Sequence, residues 1–193
     1  MSEPIHPEKL IVENVAVDDL AAFRKLAADL GETDDEYFTK LLEAQAEGRL
    51  EFLNASYEGT LCAYGVLNWQ PKYGLFKKLE IPEIQDLNVH PGHRRRGIAQ
   101  GFIARCEGMA RARGFKEMGI GVGLHSRFGS AQRLYVKMGY QPDGQGINYD
   151  RMPVVPGEFR PVDDQLCLMM VKSLVVRRPS AQDTHNSLLT TPD

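Results

Sequence analysis

The spacing of apolar residues switches repeatedly between a period near two and a period near 3.6, which predicts a mixed α/β order of elements. Leu10 to Val15 reads as a first strand. Leu20, Phe23, Leu26, Ala27 and Leu30 then fall on one helical stripe, which Asp18 can cap and Gly31 can end. Thr33-Asp34-Asp35-Glu36 has the form of a capping box for a second helix, with Phe38, Leu41 and Leu42 inward and an end near Gly48. The runs from Leu50 to Tyr57 and from Thr60 to Trp69 read as strands joined at Glu58-Gly59, a hairpin signal. A loop carrying Pro71, Gly74 and Pro82 leads to a strand at 83–89.

The second half repeats the alternation. Ile98, Ala99, Phe102, Ile103, Cys106, Met109 and Ala110 share one face of a helix that Gly114 closes. From Lys116 to Leu124, Met118, Ile120, Val122 and Leu124 point one way, and Gly119, Gly121 and Gly123 the other. A bare glycine face admits either a closely packed helix or a ligand. Ser130 can cap a short helix holding Ala131, Leu134, Tyr135 and Met138, with Gly139 as its terminator. Leu166 to Val171 is apolar throughout, as in a strand buried on both faces. Residues 1–8 read as a lead-in, 9–175 as one domain, and 176–193 as a polar, disordered tail.

Composition narrows the function classes. With 42% hydrophobic and 25% charged residues the chain reads as globular, and its net charge of -3 argues against general nucleic-acid binding. The first residues lack the layout of a signal peptide, and no apolar run reaches membrane-spanning length. Cys62, Cys106 and Cys167 lie far apart in apolar segments, as buried free thiols of a cytoplasmic protein do. No paired Cys or His ligands stand at metal-binding spacing, so no metal is expected.

Against this mildly acidic background, Arg94-Arg95-Arg96-Gly97-Ile98-Ala99 stands out. It joins the strand at 83–89 to the helix from Ile98. A helix start offers unpaired amides and partial positive charge to an anion, Gly97 permits close approach, and the arginines add donors. The ligand predicted from these residues is a phosphorylated cofactor. A solvated basic face is the alternative reading of the charge run.

The same stretch resembles motif A of the GNAT acetyltransferase superfamily, with Arg94, Gly97 and Ala99 at its marked positions and Val89-His90-Pro91 before them. Ala131, Leu134-Tyr135 and Gly139-Tyr140 resemble the family's motif B, and the element order from about 9 to 175 matches as well. The resemblance implies a three-layer α/β domain. Its sheet would be mixed and mostly antiparallel, with one splayed parallel strand pair, 84–89 beside 116–124, and helices on both faces.

The resemblance also implies acetyl transfer from acetyl-CoA to a primary amine, a small molecule before a protein, without metal, nucleic acid or membrane as partner. The amides from Arg94 through Arg95, Arg96, Gly97 and Ile98 to Ala99 would hold the pyrophosphate. Leu87, Asn88 and Val89 would hold the pantetheine arm and the thioester carbonyl, an oxyanion-hole arrangement. The glycine face at 119–123 would leave room for the cofactor. Motif B often carries Asn where this chain has Phe128, so that polar contact would be missing or supplied by Ser130.

Tyr135 is the candidate general acid for the departing thiolate, with a core tyrosine as the alternative. Glu83 is the candidate general base, with Asp86, Glu80 and His90 as rivals and a solvated loop-edge carboxylate as the plain alternative. On a regular strand Glu83 and Asp86 would face opposite ways. His93 and His125 read as solvated loop histidines. Trp69, Tyr73 and Phe76 would line an acceptor pocket or simply pack. A non-catalytic acyl-CoA-binding or sensing domain is the rival function, and a homodimer stays open.

Overall fold

The computed structural model describes residues 6–17, 20–32 and 34–175. The suggested cap Asp18, Thr33 of the capping box and the tail from 176 lie outside these residues.

The chain runs β1 (Leu10–Asn14), α1 (Leu20–Asp29), α2 (Asp35–Ala46), β2 (Leu50–Tyr57), β3 (Thr60–Asn68), α3 (Gly74–Leu79), β4 (Glu83–Val89) and α4 (Ile98–Ala112). It continues with β5 (Glu117–Gly123), α5 (Gly129–Lys137), β6 (Gln141–Tyr149), β7 (Met152–Pro153) and β8 (Leu166–Ser173). All the strands join one sheet in the order β1-β2-β3-β4-β5-β8-β6-β7. Every pairing is antiparallel except β4 with β5.

Strand alternation sends successive side chains to opposite faces, and both faces are covered by helices. Leu53, Ala55, Ala63 and Leu67 pack with Phe102, Ile103, Cys106 and Ala110 of α4 and with Tyr135 of α5. Phe52, Tyr64 and Val66 point the other way, onto Phe23 and Leu26 of α1 and Phe38 and Leu41 of α2. The Phe23 ring meets Phe38, Phe52 and Tyr64 edge-on, with centroids 4.8, 4.9 and 5.2 Å away.

Local chemistry sets the element ends. Glu58 and Gly59, at φ 52° and 77°, form the left-handed two-residue turn that suits the twist of a hairpin. Asp34 caps α2, its carboxylate accepting from the amides of Glu36 and Tyr37 at 3.0 and 3.1 Å. The helix thus begins one residue later than the Thr33 box implies. Gly129 opens α5 without a side-chain cap, and Ser130 lies exposed inside the helix rather than capping it. The loop expected before β4 contains α3, whose Phe76 is fully buried.

The bare face of β5 is largely filled. A Cβ at Gly119 would collide with the Phe76 ring, and one at Gly123 with Phe128. Close packing accounts for these two positions, and Gly121 and Gly123 also border the cavity described below. Gly119→Ala is therefore expected to cost about 1–3 kcal/mol through overpacking, read as a lowered urea midpoint. An unchanged midpoint would contradict this contact. Strand β8 is less enclosed than its composition suggests, with only Met169 and Met170 buried.

Candidate active site

The site grows from an incomplete strand pair. β4 and β5 pair only at Glu83 with Gly119 and Ile84 with Ile120, and then diverge. The β5 side of residues 85–89 has no strand partner, and a cavity of about 350 Å³ fills the wedge. Glu83, Asp86, Leu87 and Asn88 line it from β4, and Tyr135 reaches it from α5. Arg151 of the β6–β7 turn, Asp164 and Gln165 before β8, and Cys167 of β8 border it on the other side.

Glu83 and Asp86 both line this cavity, contrary to the parity of a regular strand. The cause is a bulge. The β3–β4 register slips between Tyr64 and Val66, and Asp86 has φ 50°. Ile84 and Leu87 consequently face the same core despite their odd spacing. Asp86 is exposed and accepts a hydrogen bond from the Tyr37 hydroxyl of α2.

Glu83 is only 2% exposed, not the solvated carboxylate of the plain alternative. Arg151 Nη1 donates to both of its oxygens, at 2.7 and 2.8 Å, and Gln85 Nε2 donates at 2.8 Å. Burial pushes the carboxyl above its usual range, against the pull of Arg151 and Gln85. For Arg151, burial opposes the charge, but Glu83 beside it holds the guanidinium above its ordinary value. Of the rival bases, Glu80 is exposed at the end of α3, and His90 Nδ1 accepts from the Gly92 amide at 3.2 Å. Neither lines the cavity.

Arg151 was not singled out from sequence. With Asp150 it makes the two-residue turn between β6 and β7, at φ 48° and 64°. Such turns favour Asn-Gly, and left-handed geometry costs an ordinary residue roughly 1–2 kcal/mol. Asp150 suits such a turn, but with Arg151 instead of Gly after it the local signal is weak.

Tyr135 is buried on the apolar stripe of α5, 8% exposed, and burial alone pushes its phenol up to about 12. Its ring lies 6.1 Å from that of Tyr140. Tyr140 donates to Glu107 at 3.1 Å, and Lys172 Nζ donates to both Glu107 oxygens at 2.7 and 2.8 Å. Glu107 is a buried charge on α4 that the helical stripe did not reveal.

At the far end of β4, the chain passes through a single turn at Pro91–His93 into Arg94 to Gly97. Gly97 has φ 101° and caps α4 with its backbone alone. Among the described residues, the amides of residues 95–100 donate to no carbonyl, so they are available to an anion. Arg95 and Gly97 both have positive φ, the backbone type that turns successive amides toward one point. Arg94 is exposed, its Nε donating to the Val89 carbonyl at 2.8 Å. Arg95 is exposed and Arg96 half-buried. The turn therefore suits a pyrophosphate, and the wedge suits a slender chain leading from it to Tyr135. Ser130, exposed, does not line the wedge.

Trp69, Tyr73 and Phe76 do not line the cavity. Trp69 stacks on Phe115 under the Arg113 guanidinium. Tyr73 donates to Asp143 at 2.7 Å, and Phe76 closes on Gly119. His125 is not solvated: its Nε2 lies 2.6 Å from Asp164. His93 Nδ1 is buried without a partner among the described residues. Cys62 and Cys106 are buried free thiols, and Cys167 is half-buried.

The model of the acetyltransferase (GNAT) family matches residues 16–140, and the chain belongs to that family. It is an acetyltransferase of that family. No curated protein matches the chain. Solved structures share its fold at low identity. One is yncA of Salmonella typhimurium with its cofactor acetyl-CoA, 19% identical over 90% of this chain and 99% of that one, TM-score 0.60. Another is the ribosomal-protein-S18-alanine N-acetyltransferase of Escherichia coli, 15% identical over 88% and 96%, TM-score 0.62. A third is the paia N-acetyltransferase of Thermoplasma acidophilum in complex with coenzyme A, 15% identical over 85% and 98%, TM-score 0.56. Among the described residues no helix is long and apolar enough to cross a membrane.

Proposed function

We propose that this protein moves an acetyl group from acetyl-CoA to the primary amine of a small molecule, in the cytoplasm, with residues 9–175 as the working unit. The observation that carries this reading is the convergence of Glu83, Asp86 and Tyr135 on one wedge-shaped cavity beside a turn of free amides.

Acetyl-CoA supplies an activated thioester, so the new C–N bond forms as the C–S bond breaks. The residues divide the remaining work. Residues 95–99 bind the pyrophosphate, and Leu87, Asn88 and Val89 offer backbone groups to the arm and the carbonyl oxygen. Glu83 takes the proton lost by the amine, and Asp86 holds the incoming ammonium at the cavity mouth. Tyr135 stands by the departing sulfur. A phenol at about 12 is a weaker acid than a thiol, whose pKa is near ~8.5. Tyr135 therefore stabilises the thiolate as a hydrogen-bond donor, and solvent completes the protonation.

Tyr135→Phe is expected to lower kcat by roughly ten- to hundredfold, from loss of a hydrogen bond to a charged atom. The Kd for acetyl-CoA should stay within about twofold, since the ring is kept. Equal rates would instead leave Tyr135 a packing residue. The acceptor class is tested by following thiol release across a panel of amines and amine-bearing peptides. Turnover confined to peptides would overturn the small-molecule reading. Tight acetyl-CoA binding with no turnover on any amine would favour a sensing domain, a reading that the Glu83–Arg151 ion pair keeps in view because it occupies the candidate base.

A further inference from the structure

We infer that Arg151 is the specificity residue of the acceptor site and that the acceptor is an amino acid or a compact analogue, its carboxylate seated on the Arg151 guanidinium. This rests on the acetyl-transfer reading above and names its substrate class.

The guanidinium is only partly satisfied. Nη1 is taken by Glu83, but Nε and Nη2 make no hydrogen bond among the described residues. The side chain is 32% exposed and borders the cavity. Those two nitrogens form the planar edge that receives a carboxylate in the bidentate manner. A neutral acceptor covering this edge would leave charged donors unpaired, and sites of that kind reject analogues lacking the matching group.

The mounting is rigid. Asp150 N–H donates to the Gln165 carbonyl at 3.1 Å, and Tyr149 hydroxyl donates to Asp163 at 2.9 Å, tying the turn to the approach to β8. Within the turn, Arg151 holds a left-handed φ of 64° where glycine is favoured, whereas Asp150 tolerates such a φ. Strain of this sort persists at ligand-contacting positions, where a particular side chain is needed at a particular point.

Charge within the cavity matches a zwitterion. Arg151 supplies the cation, while Asp86, exposed at the bulge, supplies an anion on the same lining; Asp164 is taken by Arg127 and His125. An amino acid can place its ammonium toward Asp86 and Glu83 and its carboxylate on Arg151. The arriving carboxylate also shares the guanidinium with Glu83, loosening the hold on the base when the amine is in place. A protein N-terminus carries no adjacent carboxylate and gains nothing from Arg151.

The test compares wild-type kcat/KM for free amino acids, their methyl esters and the corresponding decarboxylated amines at saturating acetyl-CoA. A preference of roughly a hundredfold or more for the free carboxylate is expected. In Arg151→Lys, which keeps a cation for Glu83 but loses the planar fork, that preference should fall at least tenfold. Acetyl-CoA titration verifies that the variant is folded. Esters and amines used as well as free amino acids by the wild type would overturn the proposal while leaving acetyl transfer intact, and this arm decides even if the variant does not fold. A preference undiminished in a folded Arg151→Lys would remove the assignment to Arg151. No turnover on any amine would overturn the acetyl-transfer reading and this proposal with it.

Discussion

Glu83→Gln is expected to lower kcat by roughly 10²–10⁴-fold, the range that a positioned base contributes. Glutamine keeps the shape and one acceptor oxygen for Arg151 Nη1, which now bonds both carboxylate oxygens. The substitution removes basicity with limited structural loss, and the Kd for acetyl-CoA should change little. The pH profile gives a second readout. A base works only when ionised, so kcat/KM falls as pH drops through the Glu83 pKa. Burial raises that value, which moves the acid limb above the range of an exposed glutamate. The limb should vanish in Glu83→Gln. A limb that persists unchanged would transfer the role to Asp86, the carboxylate that shares the cavity.

Gly97→Trp is expected to weaken acetyl-CoA binding by roughly a hundredfold or more, the equivalent of losing about 3 kcal/mol of charge-assisted contacts. Two effects combine. At φ 101° any L side chain is strained, and an indole at this point occupies the space where amides 95–99 meet the pyrophosphate. The fold should survive, because Gly97 is half-exposed and the α4 core begins at Ile98. Circular dichroism separates the two losses. A folded variant with unchanged affinity would detach the turn from cofactor binding.

The parts of this site that sequence reveals are those set by local rules. Gly97 before an apolar helical stripe, Gly59 in a hairpin and the run of arginines each announce a backbone or charge requirement within a few residues. The splayed pair also follows from the resemblance, and the sheet carries it out after Ile84. What sequence hides depends on partners far along the chain. The bulge at Asp86 arises from register against β3, so strand parity separated two carboxylates that share one cavity. Glu83 is buried through Arg151, a residue 68 positions away in a turn marked only by Asp150. Glu107 occupies an apolar face because Lys172 and Tyr140 meet it there. The glycine face of β5 announced a close approach but not by whom, and Phe76 and Phe128 supply most of the answer.

Calorimetric titration of the wild-type protein with acetyl-CoA, desulfo-CoA and ATP tests most directly whether the turn and the wedge together receive acetyl-CoA. One site per chain for both CoA compounds is predicted, with ATP binding far more weakly because it lacks the pantetheine arm that runs into the wedge. Equal affinity for ATP would reduce the site to an anion-binding turn. No binding of either CoA compound would contradict the account at its base.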